Sequence, residues 1–186
     1  MLVLASKSPR RQQILRDAGI PFVIRSADVR EERRPGESPV DYVRRLAEEK
    51  AFAVPLDPGE VVLGADTVVV VAGYVLEKPR DSADAMRMLA MLSGREHEVV
   101  TGICLRSATR KIIDTATTRV RFVKLTEDEM ETYAASGEPM DKAGAYAIQG
   151  LASKFIDRIE GDYFNVVGLP VALVYRYWKE LSGAFL

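Results

Sequence analysis

Residues 61–71 read VVLGADTVVVV, an apolar and largely β-branched run broken by a single carboxylate. A run of this kind predicts a strand buried on both faces at the centre of a sheet. Asp66 is the exception that constrains everything around it. Aspartate is a poor strand former, and burying its ionised carboxylate without a partner costs several kcal/mol or more. A metal ion, a positive side chain or a cleft open to water would compensate that cost. The plainer alternative is an aspartate that caps the strand or begins a bulge. Gly64 and Ala65, just before it, carry almost no side chain, so another backbone or a ligand can approach closely there.

The first strand, Leu2 to Ala5, runs directly into Ser6-Lys7-Ser8-Pro9-Arg10-Arg11. Ser8 suits an N-cap and Pro9 the first helical position, with Ile14, Leu15 and Ala18 on one helical face and Gly19 at the exit. A strand feeding a serine-rich turn at a helix start gathers free N–H groups, an arrangement that seats anions. Arg10 and Arg11 run against the dipole preference of a first turn, which points to a phosphate between them and those N–H groups; a solvated basic turn is the alternative. Phe22-Val23-Ile24 reads as a second strand, followed by a charged loop over 28–36. Ser38-Pro39 opens a helix whose apolar stripe is Val43, Leu46, Ala47, Ala51 and Val54, with Lys50 beside it.

After the central strand, Ala72-Gly73-Tyr74 predicts a hairpin into Val75-Leu76. Ser82 is placed to cap a helix burying Ala85, Met86, Leu89 and Leu92. Residues 97–106 and 112–124 read as two long strands, with Val120 and Phe122 inward and Arg119, Arg121 and Val123 outward. Thr126-Glu127-Asp128-Glu129 is a capping box, with Met130, Tyr133 and Ala134 inside its helix. Residues 138–150 are rich in small side chains with spaced polar ones, which suits close approach to a ligand or another backbone. Asn165 to Pro170 starts a last helix through Leu173, Tyr177 and Leu181. With no internal repeat or linker, the chain reads as a single mixed α/β domain over 1–186, with two lobes around a cleft as a possible form of it.

Composition narrows the function classes. The net charge of −1 argues against a nucleic-acid polymer as partner. Residues 1–50 hold 11 Lys/Arg against 8 Asp/Glu, a balance of +3, and the remainder carries −4, which suits a small anionic ligand. One cysteine, Cys104, excludes an internal disulfide and a cysteine zinc cage, and is expected as a small buried hydrophobe. A single histidine, His97, excludes an H-E-x-x-H zinc site and gives no support for a serine triad; a structural or peripheral role is expected. No apolar run is long enough for a membrane span and no signal-peptide pattern is present, so a cytoplasmic location is expected.

Six motifs, in order from residue 2 to about residue 175, resemble the Maf family of nucleoside triphosphate pyrophosphatases. They are Leu4-Ala5-Ser6-x-Ser8-Pro9-Arg10-Arg11, Gly64-Ala65-Asp66-Thr67-Val68, Glu77-Lys78-Pro79-x-Asp81, Leu92-Ser93-Gly94-Arg95-Glu96-His97 with Thr101-Gly102, Gly137 to Gly144 with Ile148-Gln149-Gly150, and Asn165 to Pro170. The resemblance implies an elongated, twisted mixed sheet flanked by helices, in two lobes with a central cleft, similar to the inosine triphosphate pyrophosphatases. It implies hydrolysis of a nucleoside triphosphate to the monophosphate and pyrophosphate with a divalent metal, Mg²⁺ or Mn²⁺, and often a homodimer. It also leaves open a nucleotide-binding regulator of septum formation.

Carried onto this chain, the resemblance makes Asp66 the general base and a metal ligand. Glu31 becomes the second metal ligand, by counting back from Pro35-x-Glu37-Ser38, with Glu32 as the neighbouring alternative. Lys50 and Lys78 join the catalytic set. Arg10, Arg11, Lys50, Lys78 and Lys142 are expected on phosphate, with Ser6 and Ser8 contributing at the helix start, and Thr67 and Gln149 complete the substrate-binding residues. Arg10, Thr67 and Gln149 match the branch acting on dTTP and UTP rather than the one preferring 7-methyl-GTP. An amide at Gln149 presents both donor and acceptor, matching the mixed edge of thymine or uracil.

Overall fold

The apolar run forms a single long strand. A computed structural model describes residues 1–26 and 28–183; the last three residues of the expected domain lie outside them. The elements run β1 (Leu2–Leu4), α1 (Pro9–Asp17), β2 (Phe22–Ile24), α2 (Pro39–Phe52), β3 (Val61–Val71), β4 (Tyr74–Leu76), α3 (Ser82–Leu92), β5 (Glu96–Arg106) and β6 (Lys111–Phe122). Then come α4 (Glu127–Ala135), three short 3-10 turns between Glu138 and Phe155, β7 (Ile156–Glu160), α5 (Tyr163–Val167) and α6 (Val171–Ser182). The sheet order is β2-β1-β3-β5-β6-β7, with β4 paired to β3, so β3 is internal as its composition predicts. Parallel pairs (β1 with β2 and β3) coexist with antiparallel ones (β3 with β4, β6 with β7), which makes the sheet mixed.

The chain divides into two compact units. The first comprises residues 1–66 and 101–116 with the described residues from 168 on. Its core joins Val3, Ala5, Ala47, Ala51, Val54, Val62 and Cys104, all buried. Cys104 is the packed hydrophobe its context predicts, and burial pushes its thiol up to about 12. Helix α2 begins at Ser38, whose hydroxyl accepts the Asp41 N–H at 3.1 Å. It ends against Arg106, whose guanidinium donates to the carbonyls of Ala51 and Val54 at 2.8 and 2.7 Å.

The close approach foreseen at Gly64 is by a backbone. A Cβ on Gly64 would overlap the Ala47 carbonyl oxygen and come within 2.7 Å of the Ala51 nitrogen. A Cβ on Gly102, in β5, would overlap the Val43 carbonyl and sit 2.8 Å from the Arg44 nitrogen. Two strands thus receive α2 backbone to backbone, and rigid main-chain atoms cannot move aside as a side chain tip can. Gly64→Ala should therefore destabilise the protein by about 1–3 kcal/mol, read by chemical denaturation. An unchanged midpoint would show that the helix lifts without penalty.

The second unit comprises residues 67–100 and 117–167. Its hairpin pairs Val69 with Leu76 and Val71 with Tyr74 across a two-residue turn. Ala72 and Gly73 both have positive φ, +48° and +81°, as the preferred hairpin turn demands. Val69, Val71, Leu89, Leu92, Phe122, Tyr133, Tyr146 and Phe155 lead its core. The outward and inward alternation expected on β6 holds, with Val120 and Phe122 buried and Arg119 and Arg121 exposed. Thr126 and Glu129 form the expected capping box on α4.

Several local expectations are corrected. Asp81, not Ser82, caps α3, because its carboxylate accepts the Asp84 N–H at 2.8 Å. Met88 is the fully buried methionine of α3, while Met86 packs half-buried at its margin. Ala18 lies beyond α1 as its C-cap and is exposed. The last helix starts only at Val171 and buries Val174 most deeply, with Leu173, Tyr177 and Leu181 half-buried. Among the described residues, no helix is long and apolar enough to cross a membrane.

Candidate active site

Asp66 is compensated by a positive side chain. The Lys50 ammonium lies 2.6 Å from Asp66 Oδ1 and 2.6 Å from Glu31 Oε1, so one lysine bridges two carboxylates. Asp66 and Lys50 keep only 10% and 12% of their side-chain surface, whereas Glu31 keeps 44%. The arrangement follows from the elements. Asp66 shares a face of β3 with Gly64, against which α2 is seated at Ala47 and Ala51, and Lys50 precedes Ala51. Burial pushes the Asp66 carboxyl above the ordinary aspartate range, against the opposing pull of Lys50 and Arg11.

Glu31, rather than Glu32, reaches Lys50. The Glu32 side chain pairs instead with Arg30 at 2.7 Å. The loop that carries Glu31 is tied to α2 by a residue sequence reasoning passed over. Arg45 holds Glu37 through two bonds at 2.6 and 2.8 Å, donates to Glu49 at 3.1 Å and to the Glu32 carbonyl at 3.0 Å. The fork geometry of arginine on a carboxylate is among the stronger polar contacts, and Arg45 draws the Glu37 carboxyl down to about 2. The available signal was the i,i+4 pair Arg45–Glu49 on a helix that follows Glu37-Ser38 directly.

The serine-rich turn is built as expected, but Arg11 turns inward. The Ser8 hydroxyl caps α1 by accepting the Arg11 N–H, and the Ser8 N–H donates to Ser6 Oγ at 3.2 Å. The Arg11 guanidinium donates to the Ala65 carbonyl at 2.8 Å, the Gly168 carbonyl at 2.9 Å and Ser6 Oγ at 3.3 Å. It is buried and fixes the peptide next to Asp66 through these three bonds. Arg10 is half-buried beside it.

The second unit places the other expected residues. Thr67 follows Asp66 on β3 and is half-buried; strand alternation turns its side chain to the opposite face. Lys78 is exposed in the segment after β4, and the adjoining Glu77 carbonyl accepts the Gly144 N–H at 3.1 Å. Gly144 has φ +70°, and a Cβ there would press on Val69 at 2.7 Å. This contact brings the Lys78 and Lys142 segments together. The Lys142 ammonium donates to the Glu138 carbonyl at 2.6 Å and pairs with Asp141 at 2.5 Å. Gln149 is exposed at the tip of a turn over 147–151. His97 is structural: it is buried, edge-on to Phe122 and Tyr146, with Nε2 2.8 Å from the Tyr146 hydroxyl.

Among the described residues no three histidine, cysteine or acidic side chains gather around a point where a metal could sit. The donors that do converge, Glu31 and Asp66, are hard carboxylate oxygens already arranged about a cation, the Lys50 ammonium. That set suits a hard divalent ion which keeps waters and takes further oxygens from its ligand.

The fold is shared with a solved structure, the Ham1 protein of Staphylococcus aureus, at a TM-score of 0.54 and 14% identity over 96% of this chain and 98% of that one. A mixed α/β sheet protein with a lysine-bridged carboxylate pair is thus the class defined here. The family model described as Maf-like protein matches residues 1–181, and the chain belongs to this family. Curated relatives named dTTP/UTP pyrophosphatase include that of Koribacter versatilis, 53% identical over 96% of this chain and 93% of its own length. That of Symbiobacterium thermophilum is 52% identical over 91% and 88%.

Proposed function

We propose that this protein is a nucleoside triphosphate pyrophosphatase that hydrolyses dTTP and UTP to the monophosphate and pyrophosphate. One observation carries the reading: relatives bearing that activity in their names are 52–53% identical over nine-tenths of the chain. The geometry of the first unit supports it. Hydrolysis at the α-phosphorus needs a water that loses a proton as its oxygen attacks, while pyrophosphate departs with the bridging oxygen. Asp66 Oδ is the acceptor of that proton, and burial that lifts its affinity for a proton suits a base. Lys50 orients the carboxylate and balances its charge.

Glu31 and Asp66 would hold a divalent cation, Mg²⁺ or Mn²⁺, which when bound neutralises phosphate charge. Ser6, Ser8 and Arg10 contribute donors near the start of α1, and Arg11 keeps the Asp66 backbone in place. Lys78 and Lys142 supply cations for phosphate oxygens, the chief requirement of phosphoryl chemistry. Gln149 reads the base through its amide. Thr67 is proposed as a substrate contact from the face of β3 opposite to Asp66.

The direct test is pyrophosphate release from a panel of nucleotides with Mg²⁺ or Mn²⁺. dTTP and UTP should be turned over best and 7-methyl-GTP poorly; faster turnover of 7-methyl-GTP would refute the base assignment while leaving the reaction class standing. Glu31→Gln should raise the metal concentration for half-maximal rate about tenfold or more and weaken Mn²⁺ binding measured by electron paramagnetic resonance. Unaltered Mn²⁺ binding would remove Glu31 from the metal site.

A further inference from the structure

The turn that carries Gln149 is gripped at both shoulders by two side chains with no part in the chemistry above. At one shoulder the Ala147 N–H donates to the Tyr133 hydroxyl oxygen at 3.3 Å. At the other the Leu151 N–H donates to Glu138 Oε2 at 3.0 Å. The two holders are joined, since the Tyr133 hydroxyl donates to Glu138 Oε1 at 2.8 Å. Between the shoulders the turn closes on itself, the Gly150 N–H donating to the Ala147 carbonyl at 3.3 Å. Tyr133 is itself fixed: it is buried in the core, with its ring edge-on to Phe155 at 5.7 Å.

Gly150 shows how closely the carboxylate is fitted. A Cβ there would overlap Cδ, Oε1 and Oε2 of Glu138. Its φ is −105°, outside the left-handed region, so the Glu138 carboxylate and not the backbone excludes a side chain. Glu138 also accepts the Lys142 ammonium, but through its main-chain carbonyl, a contact that side-chain substitution leaves in place.

We propose that Tyr133 and Glu138 are positioning residues for substrate selection, fixing the backbone from which Gln149 presents its amide to the base. The inference rests on the reading of Gln149 as the residue that contacts the base. Gln149 is exposed at its tip and has three rotatable bonds, so the side chain alone cannot hold donor and acceptor to the few tenths of an ångström that recognition requires. Buried Ile148 anchors the apolar side of the turn, but the small residues Ala147 and Gly150 do not fix its main-chain N–H groups. The clamp does, from two sides, through bonds to the turn's main chain.

The test compares kcat and KM for dTTP, UTP and GTP in Gln149→Ala, Glu138→Ala, Glu138→Gln and Gly150→Ala, with inhibition by inorganic tripolyphosphate as a ligand lacking a base. Glu138→Ala and Gly150→Ala should each lower the preference for dTTP and UTP over GTP about tenfold, through KM, with tripolyphosphate inhibition unchanged. Glu138→Gln should retain most of the preference, because its amide oxygen still accepts the Leu151 N–H. In the Glu138→Ala background, Gly150→Ala should add nothing, since its methyl enters the vacated space. If Glu138→Ala did not fold, Gly150→Ala, which deletes no polar group, would carry the same expectation. A folded Glu138→Ala or Gly150→Ala with unchanged preference, while Gln149→Ala alters it, overturns the clamp. An unchanged preference in Gln149→Ala overturns instead the base reading beneath it.

Discussion

Asp66→Asn is expected to lower kcat on the order of 10²-fold or more while leaving KM for dTTP near the wild-type value. Asparagine keeps the size of the side chain and an oxygen that can accept from Lys50, so the helix–strand contact around Gly64 is undisturbed. What it loses is the capacity to take a proton and the charge that Asp66 would offer a divalent cation, so the comparison is made at saturating metal. The buried carboxyl is already held above the ordinary range by desolvation, so exchanging it for a neutral amide removes a burial cost along with an ion pair. The folded state should survive, and thermal melts alongside the kinetics would establish that. Near-normal kcat in a folded variant would take Asp66 out of the role of base.

Acid stability should turn on His97. Burial between Phe122 and Tyr146 depresses its pKa from 6.5 to about 4. Between those values the unfolded chain binds a proton that the folded protein refuses, so stability rises with pH across the interval and is lost as pH falls from about 6.5 toward 4. The size of the displacement corresponds to roughly 3 kcal/mol over the whole interval. Denaturation at pH 7.5 and pH 4.5 should therefore show a fall in wild type that is larger than in His97→Gln by about 2.5 kcal/mol, the part of the interval above pH 4.5. The variant loses ring contacts and starts lower, but has no imidazole to charge. Equal falls in the two proteins would show that His97 protonates without unfolding.

Much of this was readable because it is local. The double-sided burial of β3 is written in consecutive β-branched residues, the caps of α1, α2 and α4 in Ser8, Ser38 and Thr126, and the tight hairpin in Ala72-Gly73. The demand that Asp66 be compensated also follows from its neighbours alone, and Lys50 was visible beside the apolar stripe of the helix that meets it. The inward turn of Arg11 was not readable, because its acceptors are carbonyls at Ala65 and Gly168, and every residue offers a carbonyl. Arg45 and Glu138 escaped for a related reason. Glu138 acts on the Leu151 N–H of a loop, a contact that leaves no period in the sequence. Arg45 reaches back to the Glu37 carboxylate, a pairing of which the helix shows only the Arg45–Glu49 half. The Asp81 cap was missed because Asp81 and Ser82 are both good candidates and only the hydrogen bond to Asp84 decides.

The seating of α2 on Gly64 and Gly102 also bears on how this protein can be changed. Carbonyl and amide atoms of the helix fill the space that a methyl group would need at either glycine, so both positions are closed even to alanine without displacing α2. Variation that retunes Lys50 must then enter elsewhere: on the solvent side of α2, or in the charged loop that Arg45 ties down. A library built on those surfaces would explore activity while the helix stays where it is. A library that included the two glycines would be spent on unseated helices.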